Sequence, residues 1–330
     1  MAIALRAAGV QPGDRVLTNS FTLAPVPGAI AAVGSKPVLV EIDENLILDL
    51  DDLKRKLQQS APKAVLLSNM RGHLCDMVDL SSICREAGIP LIEDCAHTMG
   101  AAWNGKKSGS FGLFGCFSTQ TYKHLNSGEG GLLVSDDAEA MAKAIMLSGS
   151  YMLYERHGAA PTAEVFKDIR LDMPNMSSRM DNLRAAILLP QLQNLDASID
   201  AWNERYDALA SGLKCIDGVV LADRPTKESY VGSSIQFRLP DADEATIRVV
   251  VRRAAELGGE LKGLGSPEPV CFTSMHQSWR YMQPQRLPQT DRILATLLDM
   301  RVPLTFDLDD CKQIVSILDH VIAETWRMAA

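Results

Sequence analysis

The stretch Pro90–Gly131 reads PLIEDCAHTMGAAWNGKKSGSFGLFGCFSTQTYKHLNSGEGG, and it decides the class of fold. It holds two short apolar runs, Pro90–Glu93 and Cys116–Thr119, of the length and composition typical of buried strands. Asp94 directly follows the first run, and Lys123 comes shortly after the second. Ligands of open α/β sheets bind beyond the carboxyl ends of the strands. Both side chains are therefore expected at the ligand-binding edge of one sheet.

Further strands and helices alternate on either side of this stretch. The other strand candidates of the N-terminal part are Arg15–Thr18, Pro37–Glu41, Ala64–Ser68 and Leu132–Ser135. Helical patterns lie between several of them, at Val26–Val33, Leu50–Gln59 and Leu80–Ala87. Such alternation predicts an α/β fold, with a mostly parallel sheet sandwiched by helices.

The C-terminal third of the chain contains a second set of predicted helices and strands. A helical pattern runs over Met180–Leu213, and Pro190 within it predicts a kink. The elements predicted after it are a strand at Ser233–Leu239 and helices at Glu244–Leu257 and about Asp310–Trp326. We therefore predict a large domain at residues 1–213, which includes the long helix, and a smaller C-terminal α/β domain at residues 214–330.

Composition and charge exclude several classes of protein. The 330-residue chain is 46% hydrophobic and 22% charged, as in ordinary globular proteins, and its formal net charge is −8. This acidic balance argues against nucleic-acid binding, which usually needs a basic face. No apolar run approaches the ~20 residues that cross a bilayer, and the N-terminus lacks the pattern of a secretory signal. The prediction is a cytoplasmic protein that binds neither nucleic acid nor membrane.

The cysteines and histidines do not form a convincing metal site or disulfide framework. The seven cysteines are scattered and include no C-x-x-C pair, which is typical of reduced thiols. His73-x-Cys75 and Cys95-x-His97 each follow a strand and could converge on zinc, but structural zinc sites more often use C-x-x-C. We predict no metal. Ser118 lacks the G-x-S-x-G turn of a hydrolase nucleophile.

The polar residues at the two strand ends match what pyridoxal phosphate (PLP) needs from a protein. PLP chemistry requires a lysine that forms a Schiff base, a carboxylate that keeps the pyridine nitrogen protonated, and hydroxyl groups around the phosphate. Lys123, Asp94 and the Ser118–Thr119 pair could supply these groups. Each has a plainer interpretation, since a strand-end Asp often caps a turn and most lysines are solvated surface charges. The pattern by itself leaves both interpretations open.

Five segments carry a resemblance to a known family. They read GVQPGDRVLTNSFT, IEDCAHTMGA, GCFSTQTYKHLNSGEGGLLVSDD, SSRMDNLRAAILLPQL and RVPL. From Leu5 onward the chain resembles the DegT/StrS-type sugar aminotransferases, which are fold-type I PLP-transferases with an aspartate-aminotransferase-like large domain and a smaller C-terminal domain. The resemblance implies a PLP-dependent aminotransferase that moves an amino group from glutamate to a nucleotide-linked keto-sugar. It also implies a homodimer with shared active sites.

The resemblance assigns roles to individual residues. Lys123 is similar to the catalytic Schiff-base lysine, and Asp94 to the carboxylate that pairs with the pyridine nitrogen. Ser118 is similar to a phosphate-binding serine, and His97 lies where the family often has a Gln beside the cofactor ring. Ser177 lies where the family usually has an Asn that reaches into the phosphate site of the neighbouring subunit.

Other positions depart from the family pattern or extend it. The family's Thr-aromatic pair is Thr22–Leu23 here. Met1–Ala7 resembles the middle of the helix that follows the family's Gly-Thr phosphate-binding turn. We therefore expect that the start of the gene for this chain was assigned too far downstream. Ser148–Gly158 is a candidate substrate-facing loop, and His276 is a candidate residue near the cofactor.

Two alternative functions follow from these departures. One is a non-catalytic binding or regulatory protein with the PLP fold. The other is a PLP-dependent sugar dehydratase, although the relatives that dehydrate sugars use a His where this chain has Lys123.

Overall fold

The computed structural model describes residues 1–266 and 275–329 of the chain. The strands are β1 (Arg15–Asn19), β2 (Lys36–Val40), β3 (Ala64–Ser68), β4 (Leu91–Asp94), β5 (Ala102–Trp103), β6 (Lys106–Lys107), β7 (Phe114–Ser118), β8 (Gly131–Val134), β9 (Val220–Leu221), β10 (Glu228–Ser229), β11 (Ser234–Arg238), β12 (Lys262–Gly263) and β13 (Leu297–Arg301). The α-helices are α1 (Ala2–Ala7), α2 (Pro25–Ala32), α3 (Leu50–Ser60), α4 (Met77–Glu86), α5 (Ala138–Ser148), α6 (Phe166–Asp172), α7 (Asn182–Gln193), α8 (Leu195–Leu213), α9 (Glu244–Glu256), α10 (Pro288–Ala295) and α11 (Leu308–Ala329). Short 3-10 turns lie at Met70–Gly72, Tyr154–Arg156, Ala163–Val165 and His276–Ser278.

The predicted mostly parallel sheet is confirmed. Its six strands have the order β2-β1-β3-β4-β7-β8, and all neighbours are parallel except β7 and β8. All five residues of β3 are buried, which explains why the first four of them are apolar without interruption. In the register of the sheet, Ser68 at the end of β3 is paired with Asp94 at the end of β4, and Asp94 is paired with Cys116 in the middle of β7. This row brings together residues that are far apart in the sequence.

Aspartate side chains begin several of the helices. Asp76 accepts hydrogen bonds from the backbone N–H groups of Val78 and Asp79, both at 3.1 Å, and thereby caps α4. The helix therefore starts three residues before the predicted start at Leu80. The other helices with an aspartate cap are α3, α5, α7 and α9, capped by Asp49, Asp137, Asp181 and Asp243.

The long helical region is interrupted at a different residue from the one predicted. Helix α7 continues through Pro190, and the break lies at Asn194, whose φ of −101° and ψ of 9° leave the helical region. A proline removes the hydrogen bond to the carbonyl four residues earlier, which here belongs to Ala186. Ala186 is exposed in the single chain, and α7 continues for three residues beyond the proline, to Gln193.

A second sheet lies in the C-terminal part of the chain. Its strands have the antiparallel order β12-β13-β11-β9, and we call it the C-terminal sheet. Its side chains share a hydrophobic core with α8, α9 and α11, and Leu213, Phe237 and Leu318 are fully buried there. A third, small sheet has the order β10-β5-β6. The division of the chain at residue 213 stays a prediction.

Among the described residues, no helix combines the length and the apolar character that a membrane span requires. The predicted cytoplasmic location stays a prediction.

Candidate active site

A cavity of about 590 Å³ lies beyond the carboxyl ends of the central strands. Four of the five predicted site residues line it, namely Asp94, His97, Ser118 and Lys123. Further lining residues come from the chain start, the turn after β1, the end of β3 and the loop before β8: Met1, Thr22, Leu23, Ser68, Glu129, Gly130 and Gly131. Ser177 does not line this cavity, and its side chain is exposed.

Asp94 presents a buried carboxylate to the cavity. It is the last residue of β4 and only 6% exposed. Its Oδ2 accepts a hydrogen bond from Ser68 Oγ at 3.1 Å, and its Oδ1 accepts one from the N–H of Ala96 at 3.2 Å. Burial raises the pKa of Asp94, and the charge of Lys123 opposes that shift. The carboxylate is therefore poised to exchange a proton with a buried partner or to pair with a cation.

A chain of hydroxyl groups supports Asp94. Thr22 Oγ1 donates to Ser68 Oγ at 2.8 Å, and Ser68 in turn donates to Asp94. Asn19 fixes the backbone of Ser68 from both sides, since its Oδ1 accepts from the Ser68 N–H and its Nδ2 donates to the Ser68 carbonyl. Our sequence analysis did not find Ser68 or Asn19. The sequence could have indicated both, because each is a polar residue at the end of a strand, as Asp94 is.

Lys123 presents a part-buried amine to the same cavity. Its Nζ lies 3.0 Å from Nε2 of His97. Burial, together with the charges of Arg71 and Arg301 and against the opposing charge of Asp94, lowers the pKa of Lys123 to about 8. Near neutral pH the amine is therefore much closer to its neutral, nucleophilic form than an exposed lysine is.

His97 lies beside this amine as a neutral ring. Burial and the nearby charge of Lys123 hold the pKa of His97 well below its ordinary value. A neutral imidazole can accept a hydrogen bond from the Lys123 ammonium group through Nε2. The sequence left His97 open between a cavity residue and an ordinary strand-end histidine, and the structure places it in the cavity.

The loop between β7 and β8 is built so that Ser118 and Lys123 face one space. Ser118 ends β7 and lines the cavity, whereas its neighbour Thr119 is fully buried and bonds Ser127 Oγ at 3.1 Å. A Cβ at Gly130 would lie 2.6 Å from Thr119 Oγ1, and Gly130 has φ of +142°. A glycine is therefore required there for the loop to close beside Ser118.

The remaining candidates of the sequence analysis lie elsewhere. His276 is buried and bonds Asp291 at 2.8 Å, outside the cavity, while part of its predicted loop falls outside the described residues. In the loop Ser148–Gly158, Tyr154 is buried against Phe166, and no residue of the loop lines the cavity.

Side chains of the two His-Cys pairs bond other groups of the protein. His73 bonds Gln236 at 2.8 Å, and Cys95 bonds Ser108 at 3.3 Å. Over residues 1–266 and 275–329, no three His, Cys, Asp or Glu side chains are grouped as a metal ion would require.

Comparison with known proteins shows the family of this chain. The sequence profile of the DegT/DnrJ/EryC1/StrS aminotransferase family matches residues 1–319. This chain belongs to that family. The predicted resemblance is therefore confirmed.

Two curated members of the aminotransferase family illustrate the likeness. The L-glutamine:scyllo-inosose aminotransferase of Streptomyces griseus is 30% identical over 317 residues, which is 95% of this chain and 72% of the relative. The GDP-perosamine synthase of Vibrio cholerae is 36% identical over 212 residues, which is 64% of this chain. That match spans 54% of the synthase, so the chain corresponds to only about half the length of this relative.

Solved structures confirm the predicted fold. The crystal structure of 3-amino-5-hydroxybenzoic acid synthase is 26% identical and superimposes with a TM-score of 0.82. The superposition covers 98% of this chain and 84% of that structure. Spr1654 of Streptococcus pneumoniae, described as a putative sugar aminotransferase and solved in a PLP form, has a TM-score of 0.81 at 19% identity and supports the fold alone.

The residues of the cavity fit PLP, the cofactor that the family implies. An amine with a lowered pKa, a buried carboxylate and a serine hydroxyl line one space, and these are the three kinds of group that PLP needs. Asp94 would hold the pyridine nitrogen, Lys123 the reactive carbon, and Ser118 the phosphate. Leu23 also lines the cavity and offers apolar contact without aromatic stacking.

Proposed function

We propose that this protein is a PLP-dependent aminotransferase whose reactive amine is Lys123. The observation that carries the proposal is the convergence of Lys123, His97 and Asp94 in one cavity beyond the sheet, with the Lys123 amine 3.0 Å from His97. PLP supplies an aldehyde that binds amines covalently and a ring that withdraws electrons. Family membership supports the same cofactor and reaction class.

Each side chain has a role that its surroundings favour. Lys123 holds the cofactor and then moves a proton, because a pKa of about 8 lets it both release and accept a proton near neutral pH. Asp94 keeps the pyridine nitrogen of the cofactor protonated. Ser68 holds the Asp94 carboxylate in place, with its Oγ 3.1 Å from Oδ2. His97 orients the amine when no cofactor is attached. Ser118 hydrogen-bonds the phosphate.

The donor is proposed to be glutamate and the acceptor a nucleotide-linked keto-sugar. The name of the V. cholerae relative supports a nucleotide-linked sugar, since its product is named as GDP-perosamine. The S. griseus relative is named for glutamine and an inosose, so glutamine is the donor to compare. Both relatives support amino transfer to a carbonyl group of a sugar or a sugar-like ring.

An assay with both donors tests this function. The PLP-loaded protein is incubated with glutamate or glutamine and a nucleotide-linked 4-keto-sugar, and the products are weighed by mass spectrometry. We expect an amino-sugar that carries the donor nitrogen, together with 2-oxoglutarate from glutamate. A product that has lost water and gained no nitrogen would instead indicate a dehydratase. PLP binding with no product from either donor would favour the non-catalytic alternative.

We further propose that the protein acts as a homodimer. Four large apolar side chains of α7 are exposed, Leu183, Ile187, Leu189 and Leu192, between 45% and 73% of their surface. Several large apolar side chains exposed on one short helix are typical of a surface that a partner covers. Ser177 is exposed on the segment just before α7, where a second copy can be reached. This location supports the proposed contribution of Ser177 to the phosphate site of a neighbour.

Substitution of an exposed apolar residue of α7 tests the dimer. We expect Ile187→Glu to shift the protein from dimer to monomer in sedimentation or light scattering, because the charge would be buried at the interface. Leu257→Glu is the matched control, since Leu257 is 44% exposed and Ile187 is 45% exposed. A monomeric wild-type protein, or equal behaviour of the two variants, would contradict the proposal.

A further inference from the structure

The residue before Lys123 is held by the C-terminal sheet. Arg301, the last residue of β13, donates from its guanidinium group to the carbonyl oxygen of Tyr122 at 2.6 Å. The same guanidinium group lies over the Tyr122 ring, 4.6 Å from the ring centre. A hydrogen bond and a cation–π contact to one residue fix both its backbone and its side chain.

The residue after Lys123 is held by the same part of the molecule. Nε2 of His124 lies 2.9 Å from Oγ of Ser233, the residue that precedes β11. The His124 ring also packs edge-on against Trp202 of α8, with ring centres 5.1 Å apart. Burial lowers the pKa of His124 to about 4, so its ring is neutral and bonds Ser233 as an uncharged partner.

Arg301 and Ser233 are neighbours in the C-terminal sheet. Ser234 of β11 is paired with Arg301 of β13, and the N–H of Val302 donates to the carbonyl of Ser233 at 2.9 Å. The two contacts therefore come from one site on one rigid sheet. These contacts hold Tyr122 and His124, the residues directly before and after Lys123.

We propose that Arg301 and Ser233 are positioning residues that clamp the Tyr122–His124 segment, so that the amine of Lys123 faces His97 and the cavity. This inference rests on the assignment of Lys123 proposed above. Neither Arg301 nor Ser233 lines the cavity of Asp94 and Lys123, although both line a neighbouring cavity of about 780 Å³ that also reaches Lys123. Both residues hold the backbone segment of Lys123, and Arg301 also acts on the amine through its charge. We call the two contacts the Lys123 clamp.

The charges around Lys123 allow the two halves of the clamp to be separated. The charged or titratable groups that face it are Asp94, His97 and His124, together with Arg71 after β3 and Arg301 on β13. Arg71 is bound to buried Asp299 at 2.5 Å, so we expect it to stay in place when Arg301 is replaced. Loss of Arg301 removes a cation and a contact, whereas loss of the Ser233 hydroxyl removes a contact alone.

The test measures the Lys123 amine directly, without turnover. In protein freed of PLP, the rate at which an amine reagent modifies Lys123 is followed against pH by peptide mass spectrometry. Capture of added PLP at Lys123 is measured in parallel, after borohydride reduction. In wild type we expect half-maximal modification near pH 8, with the rate rising as pH rises and levelling above it, because only the neutral amine reacts.

The variants have different expected signatures. Arg301→Gln should raise the half-maximal pH by roughly half a unit or more, since a nearby cation is lost, and Arg301→Lys should restore it. Ser233→Ala should leave that pH unchanged but slow PLP capture about 3- to 10-fold, since the amine is less well aimed. Arg253→Gln on α9 is the control and should match wild type in both measurements.

The outcomes distinguish the clamp from the function on which it rests. If PLP is not captured at Lys123 in wild type, the proposed function fails. If wild type captures PLP at Lys123 but Arg301→Gln and Ser233→Ala behave as wild type, the proposed clamp alone is wrong. Ser233→Ala removes one oxygen atom, so it decides the question even if Arg301→Gln fails to fold.

Discussion

Lys123→Ala is expected to lower kcat/KM for amino transfer by roughly 10⁴-fold or more, because it removes both the covalent anchor of PLP and the group that moves the proton. The part-buried amine beside His97 has a pKa of about 8, and no other described lysine lines the cavity. Borohydride reduction of the PLP-treated variant should leave no cofactor on the tryptic peptide that contains position 123. The visible band of bound PLP should be lost with it.

Two further substitutions show which property of Lys123 matters. Lys123→Arg keeps the positive charge beside His97, but a guanidinium group cannot lose its proton in proteins. We expect it to be as inactive as Lys123→Ala. Lys107→Ala removes an exposed lysine and should keep full activity. Activity within tenfold of wild type in Lys123→Ala would contradict the assignment.

Asp94→Asn is expected to lower kcat/KM by roughly 10²- to 10³-fold while PLP stays attached at Lys123. The substitution keeps the shape of the side chain and the hydrogen bond from Ser68, but an amide cannot balance the charge of a protonated ring nitrogen. A loss of this size corresponds to about 3–4 kcal/mol of transition-state stabilisation, which is typical of one charged partner in a buried site. Steady-state kinetics and the visible spectrum measure the two effects separately.

The neighbouring carboxylate is a matched control for Asp94. Glu93 is also fully buried, but it accepts hydrogen bonds from the backbone N–H groups of Gly109, Phe111 and Gly112 at 2.7–2.9 Å. Successive residues of a strand point to opposite faces, so Glu93 supports a loop instead of the cavity. Glu93→Gln should lower the melting temperature more than it lowers kcat. Equal kinetic effects of the two substitutions would overturn the role of Asp94.

The parts of the site that follow single strands could be predicted from the sequence. Asp94 and Ser118 end β4 and β7, and parallel strands bring such ends to one edge, so apolar runs and the residues after them were sufficient. Lys123 was predictable because its segment carries a recognisable family pattern. The break at Asn194 was missed, because a proline within a helical pattern marks many helix boundaries but not all of them.

Contacts between distant segments could not be predicted in this way. Ser68 and Asp94 meet through the register of β3 and β4, and Thr22 reaches Ser68 from the turn after β1. Arg301 and Ser233 reach the Lys123 segment across more than a hundred residues of sequence, and nothing local to either residue indicates its partner.

The sequence by itself determined the α/β fold and the family, and it predicted the reactive lysine, because strand periodicity, strand-end chemistry and family motifs are local properties of the chain. The tertiary structure alone decided how that lysine is aimed and how far its pKa falls. Those properties depend on burial and on the charges and contacts of side chains that folding brings together, among them His97, Arg71 and Arg301. The position of the proposed reactive lysine is therefore predicted by the local sequence, whereas the reactivity of its amine depends on the folded surroundings.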